Sequence, residues 1–260
     1  MRLDATVYLM YHELEVEGRT LCQNEAGYLR YVVREADFRE QMNWLREAGF
    51  RGVSVSEALD LQTAQGIAIT FDDGCETDLM VAAPILRQAN FGATFYITLG
   101  FLGRLGYMVP RQVRELSDAG FEIGCHSITH PYLSDLDEAA LQHEIAQAKI
   151  QLEEMIGRPV HHFSCPGGRW SPRVAEVARQ AGYRSVTTSR MAVNRPTDDP
   201  FQLARMVVMR GVTLAAFERL CRGSGLWRRR LRNFLQQSSH QLLGNTMYDR
   251  LRSLILERRA

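Results

Sequence analysis

Ile67-Ala68-Ile69-Thr70-Phe71-Asp72-Asp73-Gly74 is the stretch on which the reading of the chain turns. Five apolar and β-branched residues run into two adjacent carboxylates and a glycine, and an apolar run of that length bounded by a turn residue reads as a buried strand. Neighbouring strand residues point to opposite faces, so Asp72 and Asp73 cannot share one role unless the strand has already ended. Gly74 permits the backbone conformation that ends it. Taken alone, Asp-Asp-Gly reads most simply as a turn capping a strand. Residues further along the chain change that.

Outward from this strand, six further segments have strand character: Thr6–Tyr11, Gly92–Ile97, Phe121–Cys125, Val160–Cys165, Arg184–Thr188 and Ala204–Met209. Helices fall between them. Arg34 to Ala48 places Phe38, Met42, Leu45 and Ala48 on one face and stops at Gly49. Ala82 to Ala89 comes next, and Pro110 to Ala119 opens with proline and stops at Gly120. The longest helix is expected to be capped by Ser134 and to run to about Met155, with Leu141, Ile145, Ala148, Leu152 and Met155 as its buried stripe. Another lies around Arg173–Ala181. Seven strands alternating with helices imply parallel pairing and right-handed crossovers. The fold class is α/β, and a closed or nearly closed barrel suits the count better than an open sheet.

The 260 residues, 45% of them hydrophobic, suffice for one large α/β domain, and no Pro/Gly/Ser-rich linker divides them. No stretch approaches the roughly 18 apolar residues of a membrane span, and the N-terminal apolar run is too short for a signal-peptide core. Five cysteines with no CxxC pair favour reduced thiols in a cytosolic protein. Charge is divided unevenly. Residues 219–260 carry ten arginines against Asp249 and Glu257, a net of +8, and the other 218 residues carry 21 basic against 28 acidic groups, a net of −7. The expected division is therefore a barrel over 1–220 and a basic, amphipathic helical tail over 221–260. Between Leu226 and Arg259 the tail reads either as helices packed on the barrel with a solvated basic face or as an element resting on an anionic membrane surface. Nucleic acid is the poorer partner, because the tail holds no recognisable motif and the body is acidic.

In a barrel of parallel strands, reactive residues gather where strands end. Four strand ends here carry unusual chemistry: His12; Asp72-Asp73; His126-Ser127-Ile128-Thr129-His130; and Cys165-Pro166-Gly167-Gly168-Arg169-Trp170. Two imidazoles spaced by four can face one divalent ion. With one carboxylate they make three protein ligands and leave a position for water, the pattern of a catalytic metal site. The ion would lower the pKa of that water and polarise a carbonyl, and a second, unliganded carboxylate could take the proton. Asp72 and Asp73 then have the two distinct roles that strand geometry demands. His161 and His162 precede a strand and fall on the opposite rim, and His143 lies off its helix's buried stripe. Cys125 and Cys165 adjoin the motifs but read as small buried apolar residues.

Thr70-Phe-Asp-Asp-Gly74 and His126-Ser-x-x-His130 resemble the first two motifs of the polysaccharide deacetylases, the NodB homology domains of carbohydrate esterase family 4. The similarity spans roughly residues 5–220 and takes in Leu9-Met-Tyr-His12, Pro84-Ile-Leu86, Ala93-Thr-Phe95, Gly120-Phe-Glu-Ile-Gly124 and Gly182-Tyr183. The resemblance implies a distorted (β/α)7 barrel and metal-dependent removal of N-acetyl groups from amino sugars. It makes Asp72 the general base and Asp73, His126 and His130 the ligands of a divalent metal, with zinc expected. Tyr132, Pro166, Gly167, Arg169, Trp170 and Arg205 are expected around the substrate.

This chain also departs from the family. The third motif is commonly Arg-x-Pro-Tyr/Phe-Gly, whose arginine pairs with the base; here Ser164 stands in that place, and Arg169 or Arg205 is left to supply the cation. No Asp-Trp fourth motif is evident, and the late Leu-x-His that donates the general acid is absent. His12 is the remaining candidate for that acid, against a structural role beneath the site. Barrels with such tails resemble deacetylases encoded with bacterial exopolysaccharide assembly systems. A cytoplasmic enzyme at the inner membrane face, acting on a polysaccharide or lipid-linked saccharide precursor, is the expectation. Two other readings stand beside it: a catalytically weak barrel that binds saccharide or a partner, and an amidohydrolase acting on a non-sugar amide.

Overall fold

A computed structural model describes residues 5–61 and 66–224. The basic tail from Leu226 to Arg259 lies outside the described residues, and the division expected at 220 falls within the described helix Leu214–Cys221. Ten strands form: β1 (Val7–Tyr11), β2 (Leu14–Glu15), β3 (Val33–Arg34), β4 (Arg51–Val53), β5 (Gly66–Phe71), β6 (Thr94–Ile97), β7 (Glu122–Cys125), β8 (His162–Ser164), β9 (Ser185–Thr187) and β10 (Met206–Val207). The main sheet runs β10-β1-β5-β6-β7-β8-β9, every pairing parallel. At its far edge Leu203 pairs with Thr187, donating to Val186 and accepting from Thr188. The same segment continues as β10 against β1, so one stretch of chain touches both edges and curls the sheet into a distorted seven-stranded barrel. The seven strands expected from sequence are these seven. β4, which pairs with the first half of β5, and the separate β2–β3 pair are additional.

Strand parity divides the buried residues into two sets, because side chains alternate between faces. Leu9, Ile69, Phe71, Phe95, Phe163 and Val186 face outward and join the large core between sheet and helices. Tyr11, Phe71 and Phe95 stack in sequence there, with ring centroids 5.3 and 4.9 Å apart. The opposite parity lines the interior, with a small apolar cluster of Tyr8, Ala68, Tyr96 and Leu203 among polar residues. At the end where strands begin, Glu122 accepts from Thr94 Oγ1 and lies 3.3 Å from His162 Nε2, and His162 also contacts Ser56 and Ser185. Burial raises the Glu122 pKa, but the hydrogen bond and charge of His162, with Ser56 and Thr94, bring it down to about 2. His162 therefore belongs to the rim opposite the motifs.

Two helices bear on the site. Glu35–Glu47 buries Phe38, Gln41, Met42 and Leu45, and Tyr11 Oη donates to Gln41 Oε1 at 2.7 Å. The longest helix begins at Glu138, capped by Asp137, whose side chain accepts from the Ala140 N–H at 2.8 Å; the cap is not Ser134, which sits in the preceding Leu133–Asp135 turn. A wide π-type turn over His143–Gln147 interrupts this helix and brings Glu144 into the interior beside Ile145. Ile156, rather than Met155, is the buried residue at its end.

Candidate active site

β5 ends at Phe71, and the chain then turns through backbone that L-residues avoid. Asp73 has φ +81° and Gly74 φ +83°; Ser127 and His130, in the second motif, have +69° and +62°. Of the four non-glycine residues with positive φ among the described residues, three are in this site, and each costs on the order of 1–3 kcal/mol. Neighbouring hydrogen bonds hold the conformation. Asp72 N–H donates to Tyr11 O (3.0 Å), Met108 N–H to Gly74 O (3.0 Å) and His130 N–H to Ser127 Oγ (3.0 Å).

Because the strand has ended, the two aspartates diverge. Asp73 faces the histidines: its Oδ1 lies 3.6 Å from His126 Nε2 and 3.5 Å from His130 Nε2. His126 Nδ1 meets the Ser164 carbonyl at 2.8 Å, and since a carbonyl only accepts, Nδ1 carries the proton. The Nε2 lone pair then faces both carboxylates, Asp73 Oδ1 at 3.6 Å and Asp72 Oδ2 at 3.8 Å. Burial, together with His130 and Arg205, lowers the His126 pKa to about 4 despite Asp72 and Asp73, so the ring is neutral at pH 7. Asp73 Oδ1 is buried with no hydrogen-bond partner among the described residues. An unpartnered carboxylate oxygen facing a neutral imidazole lone pair is costly unless a cation lies between them. One oxygen and two imidazole nitrogens, their ligand atoms within 4.8 Å of one another, suit a divalent ion of the zinc type. His130, 31% exposed, marks the open side.

Asp72 takes the other direction and meets Arg205. The guanidinium donates Nη1 to Oδ1 and Nη2 to Oδ2, both at 2.7 Å, and its other donors reach Ser164 Oγ (2.8 Å), Thr188 O (3.0 Å) and Thr70 Oγ1 (3.2 Å). Burial would raise the Asp72 pKa, but Arg205, His126 and His12 outweigh it and hold the carboxyl well below the usual carboxylate range. The serine at 164 thus has a structural complement. Its short side chain accepts from an arginine that arrives from the segment before β10. Arg205 is fully buried with its donors occupied, and of the two arginines left to supply the cation it is the one that pairs with Asp72.

The structure also places the other expected residues. His12 is half-buried, stacks on Tyr31 at 4.9 Å and lies close enough to act on the charge of Asp72; its Nδ1 is buried without a partner among the described residues. Arg169 lies over the Tyr132 ring at 4.8 Å. Gly167 packs against that same ring, where a Cβ would come within 2.9 Å of Tyr132 Cε1. Pro166 is buried, and Trp170 is anchored by donating Nε1 to Phe201 O at 2.7 Å. Glu144 is the residue that sequence reading missed. Its carboxylate accepts from the N–H groups of Ile128 and Thr129 (2.8 and 2.9 Å) and from Thr129 Oγ1 (2.7 Å), fixing the loop between the two histidines.

A curled parallel barrel has a carboxylate and two histidines converging at its strand ends, beside an arginine-held second carboxylate, and that set suits hydrolysis. A family model described as polysaccharide deacetylase matches residues 62–186. The Bacillus subtilis protein YxkH, a polysaccharide deacetylase by name, is 27% identical over 216 residues, covering 80% of this chain and 73% of its own. The peptidoglycan-N-acetylglucosamine deacetylase of Bacillus cereus is 36% identical over 125 residues, 47% of this chain and 56% of that one. Among solved structures, the Streptococcus pyogenes deacetylase PplD superposes with a TM-score of 0.74 at 19% identity, covering 84% of this chain and 98% of its own. Over residues 62–186, close to half of its length, the chain matches the polysaccharide deacetylase family.

Proposed function

We propose that this chain removes N-acetyl groups from amino sugars of a bacterial polysaccharide or lipid-linked saccharide precursor, using a divalent metal, zinc by preference. The observation that carries the reading is the buried, unpartnered Asp73 Oδ1 between two imidazole nitrogens, next to an ionised Asp72 locked by Arg205. An ion held by Asp73, His126 and His130 would supply Lewis acidity to a water and to the acetamide carbonyl. Each Asp72 oxygen keeps a further lone pair beyond its arginine bond, and the carboxylate takes the proton of the attacking water. Backbone amides of the loop near Tyr132 stabilise the developing oxyanion. His12, on the Asp72 side, gives a proton to the departing amine. Tyr132, Pro166, Gly167, Arg169 and Trp170 are assigned to the saccharide. The relative from Bacillus cereus, named for N-acetylglucosamine in peptidoglycan, supports that sugar as the first substrate to try.

The test is acetate release from N-acetylglucosamine oligomers, with metal content measured on the same samples. Asp72→Asn is expected to retain metal and lose turnover, whereas Asp73→Ala is expected to lose both. Wild-type turnover in Asp72→Asn would sink the mechanism. His12→Ala should lower kcat on the N-acetyl substrate and spare an acetate ester whose leaving group needs no protonation.

We also propose that residues 226–259 rest on an anionic membrane at the cytoplasmic face, which their arginine clusters support. No helix among the described residues is long and apolar enough to cross a membrane. Removing 226–260 should abolish sedimentation with anionic liposomes and leave metal content unchanged; equal sedimentation of both forms would retire the idea.

A further inference from the structure

Behind the strand end that carries Asp73, a second polar cluster gathers Glu13, Cys22 and Cys75, their potential ligand atoms within 4.8 Å of one another. The cluster is not built for a metal. Glu13, fully buried, is already saturated: Arg19 Nη1 binds one oxygen, the Cys22 N–H lies 3.2 and 3.0 Å from the two oxygens, and Tyr28 Oη donates at 3.0 Å. Arg19 also reaches Glu76 and the Gly106 carbonyl, so the loop after β2 is tied down around the two sulfurs. Cys22 Sγ lies 3.5 Å from Cys75 Sγ and 3.1 Å from Gly106 O. Gly106 (φ +84°) closes over it so tightly that a Cβ there would sit 2.8 Å from Cys22 Sγ. Cys75 is buried and its backbone bridges to Tyr107, whereas Cys22 is half-buried.

We propose that Cys22 and Cys75 are a reversible disulfide-forming pair that covalently ties the loop after β2 to the strand end bearing Asp72 and Asp73. The sulfurs need approach by only about 1.5 Å to reach the disulfide length of roughly 2.05 Å. With glutathione disulfide as oxidant, the more accessible Cys22 sulfur attacks one glutathione sulfur, breaking that S–S bond and releasing one glutathione. Cys75 sulfur then attacks the Cys22 sulfur of the mixed disulfide, forming the Cys22–Cys75 bond and releasing the second glutathione. Each departing glutathione thiolate takes up the proton given up by one protein thiol. Two protein thiols are oxidised and one glutathione disulfide is reduced. The bond links residues 53 positions apart, so it removes considerable freedom from the unfolded chain.

The full-length protein is equilibrated in glutathione redox buffers, then mapped by non-reducing peptide mass spectrometry, thiol counting and thermal melting. The expected result is a single intramolecular Cys22–Cys75 link, a fall from five free thiols to three, and a melting temperature several degrees higher, all reversed by dithiothreitol. Cys22→Ser, at the half-buried position, should fold and show no such link. Glutathione retained on Cys22 with a free Cys75 thiol would overturn the proposal. So would a zinc ion that survives Asp73→Ala but is lost in Cys22→Ser, because the sulfurs would then be ligands.

Discussion

Arg205 offers the sharpest test of the geometry. Arg205→Ala leaves Asp72 as a buried carboxylate stripped of two charge-assisted hydrogen bonds of 2.7 Å and of its guanidinium partner. Breaking a fully buried ion pair by removing one partner costs about 3–5 kcal/mol, because the survivor is left uncompensated. For a domain of this size that corresponds to a fall in Tm of roughly 6–20 °C. Asp72→Asn leaves the guanidinium unpaired and should cost a similar amount. The double variant buries no unpaired charge, so the two effects must not add; a coupling of about 2–3 kcal/mol is expected. The pH dependence has a definite sign. Asp72 is depressed in the fold, so its contribution is present above the ordinary carboxylate pKa and disappears as pH falls through the still lower folded value. Arg205→Ala should therefore lie furthest below wild type at neutral pH and approach it in acid. Arg205→Lys keeps the charge but loses the fork, and should recover only part of the stability. The assay is thermal and urea unfolding of the four proteins of the cycle between pH 3 and 8, with acetate release alongside. Additive losses, or an Arg205→Ala melting temperature equal to wild type, would refute the pairing.

The same site and its supports give three further expected outcomes. Asp73→Gly removes both a positive-φ side chain and an unpartnered buried oxygen, so in metal-free buffer its Tm should rise by a few degrees while metal binding is lost; a fall in Tm would count against stored strain. Glu144→Ala frees the loop between His126 and His130 and should weaken metal affinity roughly 10–100-fold by competition with a chelator; unchanged affinity would make Glu144 a bystander. Glu122→Gln, at the far rim, should cost about 3 kcal/mol at pH 7, since the Glu122 pKa falls from 4.5 to about 2 on folding. That stability is present above about pH 4.5 and is lost as pH falls through about 2, so the urea midpoints of wild type and variant should converge over that interval.

The barrel was legible because its ring strands are compact runs of apolar and β-branched residues between glycine-rich stops. Arg51-Gly52-Val53 and the two-residue strands β2 and β3 were not, because so few residues establish no period. The convergence of Asp72, Asp73, His126 and His130 was legible because strand ends of a parallel barrel face one rim. The helix cap was misplaced because Ser134 and Asp137 both suit an N-cap, and only the Leu133–Asp135 turn decides between them. Glu144 was invisible because a glutamate on a long helix normally reads as solvent-facing. The π-type turn at His143–Gln147 that rotates it inward leaves no mark in the apolar pattern.

Arg205 shows how far a motif can mislead when the physics is preserved by other means. Reading by motif position leaves Ser164 where an arginine belongs, and the base looks unsupported. Strand parity says otherwise: Thr70, Asp72, Ser164 and Arg205 all point into the barrel, and closure of the sheet through Leu203 brings the last segment beside β1 and β5. What Asp72 requires is a buried, forked cation on its inner side, and any strand facing that point can provide it. The same closure leaves Asp73 without such a cation. The two neighbouring carboxylates thus differ in kind: one is neutralised by the protein itself, and the other is held in a strained backbone with an oxygen that has no hydrogen-bond partner among the described residues. That asymmetry, set by where β5 ends, is what suits Asp72 to the proposed proton acceptance and Asp73 to the proposed metal.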